Sequence, residues 1–455
     1  MSHKNLSKFK SAVKDENLQN ELMDWTSKQG RILTANGTAP NLYTAERGFP
    51  FSETELPHYY LTNDSTHDTF SKWAKEYNEE QKLQTMKDKN SNSNPVCGAW
   101  SRPLFIGQWE HSTGEQETVY NIQSNTLFID LRIPREAAQL LLPKVTPVSF
   151  SVSYSHNKRT LEQIMDSWTM QEICLYARRH VFGGFTRLSW VEQGPSSRLE
   201  ESLDGMTSST SEKGRRPVCT RHHCIDWNYM GKPRNRPNKW FVEMHPFHNN
   251  EWKEWSFATD HYGQHYYWEK WERLEEDGCS TSMKSATKPT SHNEEKVRVS
   301  REQENIILVL RKRVTKDDPR DGILIIVGNH FNYLFDKDLS DIDERKYDTT
   351  SSLMEVIDQA TEATDREAAK AYLSIDAGHG TISSGWNIDC AIQFWKEGSA
   401  LLSSNETICI DGRDLNDCII TWNGCPWDIY ETSLTKLNDL RVLLSQSKKK
   451  PRRSI

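Results

Sequence analysis

A mainly β fold with a few accessory helices, arranged as antiparallel barrels, is what this 455-residue sequence predicts. Three observations carry the expectation. Short runs of alternating apolar and polar residues recur from Trp100 onward, turn-forming residues separate them, and aromatic residues are dense, with 16 Trp beside 15 Tyr and 15 Phe. Tryptophan at that density needs half-buried places that also offer its indole N–H a partner, and a barrel wall or pocket provides them. Many short strands with one or two helices packed outside fit such barrels.

The hydrophobic share is 35%, the charged share 27% and the mean hydropathy −0.78. No apolar run approaches the roughly 18 residues that span a bilayer. The N-terminus "MSHKNLSKFKSAVKDENLQ" lacks the apolar centre of a signal peptide. The expectation is therefore a cytoplasmic protein without a membrane role. Nine cysteines, an odd count at irregular spacings, favour reduced thiols over a disulfide framework. A net charge of −7 gives no general attraction to nucleic acid, which is not expected as a partner. The exception in charge is the terminal "SKKKPRRSI", read as a solvated basic tail, with a nuclear import signal or a contact for the acidic surface of a protein partner as the alternatives.

Residues 1–95 read as a charged, mostly helical arm ending in the polar "NSNSNP". In "NTLFIDLRIP", Leu127, Ile129, Leu131 and Ile133 alternate with Thr126, Phe128, Asp130 and Arg132 until Pro134 ends the ladder. This strand has one apolar face and one that presents an acid and a base. Helical spacing follows around "RTLEQIMDSWTMQEICLYARR", then strand character returns at "FGGFTRLSWVEQ". Residues 195–216 are Ser-rich with almost no bulky apolar side chains and are expected to form a mobile loop. Residues 217–275 break into aromatic pieces of strand length, a meander that completes a first barrel over 96–278.

A polar linker, 279–300, leads to a second barrel over 301–432. It opens with "ENIILVLRKRV" and "ILIIVGNHFNYLFD", a hairpin joined through a turn rich in Pro, Gly and Asp. An amphipathic helix is expected over 352–373, capped by Ser351 or Ser352. Short strands follow, and 433–455 is read as the basic tail.

Residues 219–227, "CTRHHCIDW", carry two histidines between two cysteines. A structural zinc site wants paired knuckles at closer spacing, and no second pair follows. On a strand, alternation puts Thr220, His222, Cys224 and Asp226 on one face and sends the cysteines to opposite sides. Histidines in "HPFH" and "HYGQH" could ligate a metal or line an aromatic sheet, but no carboxylate or cysteine stands at a spacing that completes a metal set, so none is assigned. In "YYWEKWER", Tyr267, Glu269 and Trp271 share a face, placing a carboxylate between aromatic walls where its pKa would rise. Neither a nucleophile elbow nor a phosphate loop is present, and "DAGHGTISSG", with Asp376 and His379, lacks dinucleotide-binding spacing.

The segments "NTLFIDLRIP", "CTRHHCIDWNYMGKP", "YYWEKWERL", "DGILIIVGNHFNYLF" and "GWNIDCAIQFWKEG" stand in the same order as similar segments in a family of lipocalin-like proteins from bacteria, algae and fungi that includes the fungal HRI family. The resemblance covers residues 100–430 and implies two tandem lipocalin-like (calycin) β-barrels behind the helical arm. The family's D-R pair falls on Asp130 and Arg132, its C-x-x-H strand and following acid on Cys219, His222 and Asp226, and its Y-x-E-x-W on Tyr267, Glu269 and Trp271. His223 and Cys224 depart from the pattern.

Three functions remain open. A barrel of about eight strands has room for one small ligand, so an amphipathic or aromatic organic molecule against Phe128, Trp227, Tyr267 and Trp271 is the first. The second is a cofactor-independent isomerase, cyclase or hydrolase using Asp130, Arg132, His222, Asp226 and Glu269 as its acid/base and anion-holding set. The third is an interaction scaffold acting through the arm or tail.

Overall fold

A computed structural model describes residues 96–107, 117–134, 161, 163–177, 179–192, 215–227, 237–245, 250–256, 267–274, 306–314, 320–338, 353–402, 408–415 and 417–445. The expected N-terminal arm, the linker and the basic cluster of the tail lie outside these residues, as does the expected loop 195–216 except for Arg215 and Arg216, which begin a strand instead. The class is mainly β with few helices, as the sequence predicts.

The first unit is a closed eight-stranded antiparallel barrel in chain order. Its strands are β1 (Gly98–Gly107), β2 (Glu117–Gln123), β3 (Leu127–Pro134), β4 (His180–Glu192), β5 (Arg215–Asp226), β6 (Pro237–Met244), β7 (Glu251–Ser256) and β8 (Tyr267–Arg273). It closes where β1 pairs with β8, from Trp100 opposite Arg273 to Gly107 opposite Tyr267. Next-neighbour pairing all round leaves no edge strand exposed.

The alternation read in β3 sorts its side chains as expected. Leu127, Ile129, Leu131 and Ile133 face outward into a core shared with the second unit, while Phe128, Asp130 and Arg132 face the lumen. Helix α1 (Met170–Tyr176) packs on that outer core. It starts with a capping box: Thr169 Oγ1 accepts from Glu172 N at 3.2 Å, and Glu172 Oε2 accepts from Thr169 N at 2.7 Å.

The second unit is an eight-stranded antiparallel sheet made of β9 (Ile307–Lys312), β10 (Gly322–Val327), β11 (His330–Phe335), β12 (Asp376–Thr381), β13 (Asn387–Ala391), β14 (Ile408–Asp411), β15 (Ile419–Trp422) and β16 (Cys425–Thr432). Its order is β13-β12-β11-β10-β9-β16-β15-β14. Because the first and last strands, β9 and β16, are paired, this is the connectivity of an up-and-down barrel with one break. The break falls between β13 and β14, which do not pair with each other among the described residues.

The helix expected over 352–373 is two helices, α2 (Leu353–Glu362) and α3 (Arg366–Tyr372). They are parted at Thr364, whose φ of 56° no helix continues, and Asp365 restarts the chain by capping Ala368 N at 3.1 Å. Within the stretch read as the tail, Leu437–Ser445 forms helix α4. Its Leu437, Leu440, Leu443 and Leu444 pack into the same core as Leu308, Leu324, Phe331 and Trp427, so the second sheet's inner face is covered by the chain's own helix.

The units meet through β2 and β3 of the barrel and β10, β11 and β12 of the sheet. Tyr120 stacks on His379 at 3.9 Å, and Asn332 Nδ2 donates to Ile129 O at 3.1 Å and Tyr120 O at 3.3 Å. A Cβ on Gly183 would stand 2.7 Å from Leu334 Cδ2 and 3.0 Å from Phe128 O, so glycine permits this approach of β4 to β11. No described helix is long and apolar enough to cross a membrane.

Candidate ligand-binding site in the first barrel

Two kinds of side chain line the barrel's lumen, a belt of paired charges and a group of tryptophans. The belt begins on β3. Arg132 donates from Nε to Asp130 Oδ1 at 2.9 Å and from Nη2 to Oδ2 at 3.0 Å, a two-point grip between residues two apart on one face. Arg221 of β5 adds a bond to Asp130 Oδ2 at 3.3 Å and another to Gln123 Oε1 at 2.8 Å. Its guanidinium lies between the rings of Phe128 (4.2 Å) and Trp240 (4.7 Å). Arg102 of β1 bridges Glu269, at 2.8 Å, and Glu117. Arg132 Nη1 stands 3.8 Å from Glu269 and completes the belt.

This geometry sets the protonation states. Burial pushes the Asp130 carboxyl up, but Arg132, Arg221 and Arg102 outweigh it and hold the group below the usual carboxylate range. Burial likewise works against the charge on Arg132, and Asp130 and Glu269 override it. His180, opposite Arg132 in the ladder, is taken down to about 3 by burial and by Arg132, against the pull of Asp226, and is neutral.

The second group gathers Trp100, Trp240, Trp252 and Trp271 with Val96, Val119, Cys219 and Val242. Trp252 and Trp271, cross-strand partners on β7 and β8, stack at 5.4 Å, and Trp100 meets Trp252 edge-on at 5.9 Å. Trp100 satisfies its indole by donating to Val96 O at 2.9 Å. The indole N–H groups of Trp240, Trp252 and Trp271 are buried without a partner, as are both amide atoms of Asn121, which the ladder places beside Trp100 and Asp130. Each such group costs about 1–3 kcal/mol if nothing bonds it.

Most of the residues singled out from sequence meet in this lumen. Asp130, Arg132, Asp226, Glu269, Phe128 and Trp271 all lie on it, linked through ladder partners and ion pairs. The expected pairing of His222 with Asp226 is displaced by a β-bulge. Gly183 stands opposite Ile225 but Gly184 opposite His223, so Cys224 is an extra residue and the alternation shifts there. His223, not His222, therefore shares the lumen face with Asp226, bonded Nδ1 to Oδ2 at 2.7 Å and stacked on Phe182 at 4.5 Å. His222 stands opposite Phe185 in the ladder, and its side chain lies outside the described residues.

Trp227 sits outside the lumen, in the outer core, with its indole bonded to Ala177 O at 3.0 Å and its ring edge-on to Tyr176. Tyr267 pairs with Gly107 on the backbone, and its side chain is not among those described. Asp376 and His379 do not pair with each other: Asp376 binds Lys396, at 2.5 Å, and Tyr333, whereas His379 binds Asn332 at 2.8 Å. His248, His261 and His265 lie outside the described residues.

Sequence reasoning did not single out Arg102, Glu117, Arg221, Trp240 and Trp252. Their partners are distant in the chain, as Arg102 and Glu269 are, so no local spacing marks them. The sharpest available signal was the density of tryptophan in 240–271.

No family model and no curated protein matches the chain. A solved structure, an uncharacterized protein from Saccharomyces cerevisiae, aligns over 74% of this chain and 98% of its own at 11% identity, with a TM-score of 0.34.

Proposed function

We infer that this is a lipocalin-like protein whose first barrel binds one small amphipathic or aromatic organic molecule. The observation that carries the reading is the set of three buried, unpartnered indole N–H groups on the lumen wall of a closed barrel. Buried polar groups are almost always bonded, so these call for an occupant with acceptor atoms. Among the described residues, the second sheet's core, covered by α4, holds a single such indole, that of Trp386, and we assign the binding role to the first. Asp130 supports binding over catalysis: ionised and held by two arginines, it has neither a proton to give nor freedom to accept one.

Acid/base catalysis in the same lumen is the second reading, and the His223–Asp226 pair favours it. The eight described cysteines are all free thiols, which supports a reducing compartment, and we place the protein in the cytoplasm. Titration with Nile red tests the binding reading. One equivalent of dye should brighten and quench the tryptophan emission. A dye that stays dark, or brightens without quenching tryptophan, would count against it.

A further inference from the structure

The bonding groups left over on the lumen wall are of one dominant kind. Trp240, Trp252 and Trp271, each at most 1% exposed, present indole N–H groups with no partner, and an indole nitrogen can only donate. Asn121, fully buried on the same face, leaves its amide N–H₂ and its carbonyl oxygen unused. An occupant of this lumen must therefore bring acceptor atoms, and a flat molecule suits walls made of indole faces.

The charges decide which acceptor. Arg102, Arg132 and Arg221 are each bonded to Asp130, Glu117 or Glu269, three cations against three carboxylates. Glu254, buried and directly across the ladder from Glu269, adds a fourth carboxyl group on that face. Arg273, a further cation against the tryptophans, is held over Trp100 at 4.1 Å. An anionic ligand would meet arginines that each already hold a carboxylate, with only the Nε–H groups of Arg102 and Arg221 left over, and a Glu269 Oε2 that has no donor, and that costs more than its hydrogen bonds return. A neutral carbonyl meets no such opposition.

We propose that the first barrel selects a neutral, planar, carbonyl-bearing molecule of the conjugated ketone, quinone or lactone class, whose oxygens accept from the indoles of Trp240, Trp252 and Trp271. This rests on the reading of the barrel as a small-molecule site and adds the ligand's charge and bonding character. The ring lies along the stacked Trp252 and Trp271 pair, and the carbonyl oxygen replaces the missing partner of at least one indole.

Calorimetric titration of the full chain with three matched tricycles tests it: 9-fluorenone, fluorene and fluorene-9-carboxylate. Fluorenone should bind about tenfold tighter than either of the others, the gain of one well-made hydrogen bond to a buried donor. Trp252→Phe and Trp271→Phe, checked for folding by near-ultraviolet circular dichroism, should weaken fluorenone more than fluorene, which loses only stacking area, and so narrow the difference between the two. Equal affinity for fluorenone and fluorene overturns the proposal while leaving the site itself standing. Tighter binding of the carboxylate overturns it and points to Arg273. If none of the three binds, the small-molecule reading falls with it. The comparison among probes on the unmodified chain stands even if a variant fails to fold.

Discussion

The carboxylate of Glu431 holds Thr126 twice, accepting from its backbone N–H at 3.2 Å and its hydroxyl at 2.7 Å. Its other oxygen accepts from Asn125 N at 3.2 Å and Asn125 Nδ2 at 2.6 Å. One side chain on β16 of the second sheet thus clasps the β2–β3 turn of the first barrel, the turn that leads directly into the strand bearing Asp130 and Arg132. Glu431→Ala should cost about 2 kcal/mol or more, since charge-assisted bonds contribute about 1.5–3 kcal/mol each and are not additive. Urea denaturation measures the loss, and amide exchange at Asn125 and Thr126 should speed up. An unchanged midpoint would mean that the clasp contributes nothing.

Asp130→Asn should be among the most damaging single changes in the first barrel. It leaves Arg132 and Arg221 without their shared carboxylate in a buried lumen, and breaking such a pair costs about 3–5 kcal/mol. The pH dependence gives a second readout. The folded-state value of Asp130 is depressed below its ordinary 3.8, so its stabilisation is complete above that pH and is lost as the pH falls through the folded value. The wild-type protein should therefore weaken below about pH 4 through this group, and the variant should lack that component.

His379 acts in the same direction at milder pH. Burial first, and His330 second, hold it well below its ordinary 6.5, and it sits neutral between Tyr120 and His330 with Nδ1 against Asn332. A base whose folded value is depressed favours folding above its unfolded value, and that contribution is lost as the pH falls below about 6.5 toward the folded value. His180 contributes with the same sign. His379→Gln should reduce, without abolishing, the slope of stability between pH 6.5 and 5, read from urea midpoints. A slope unchanged from wild type would contradict this.

The approach of the two units at Gly183 is testable by a double-mutant cycle. Gly183→Ala places a methyl against Leu334 and the Phe128 carbonyl and should cost about 1–3 kcal/mol. Leu334→Ala removes one of the two obstacles, so the pair together should be less damaging than the sum of the single changes. Strict additivity would show that the two residues do not press on each other.

The alternation of β3 was legible because four apolar residues in phase leave no other register, and the hairpin of β10 and β11 announced itself through its apolar runs and turn. The face of His222 was misjudged for an equally local reason that leaves no mark in sequence. One extra residue at Cys224 exchanges His223 for His222, and nothing in "CTRHHCIDW" says that Gly183 and Gly184 will face a bulge. The ion pairs of Arg102 and Arg221 join strands far apart in the chain, so only the closed barrel brings them together. Trp227 is expected as a ligand contact for its aromatic ring, yet it follows the lumen-facing Asp226 and so takes the opposite, outer face that alternation gives it. Helix α4 has regular leucine spacing, but the lysines and arginines that follow it drew the reading toward a tail.

Native mass spectrometry of the full chain, incubated with a metabolite extract from its source, tests the central claim most directly. A single small organic molecule should be retained by the wild-type protein and lost from a folded Trp240→Phe, Trp252→Phe, Trp271→Phe triple variant. A bare wild-type mass, or the same adduct on both proteins, would contradict a ligand held by the tryptophans of the first barrel.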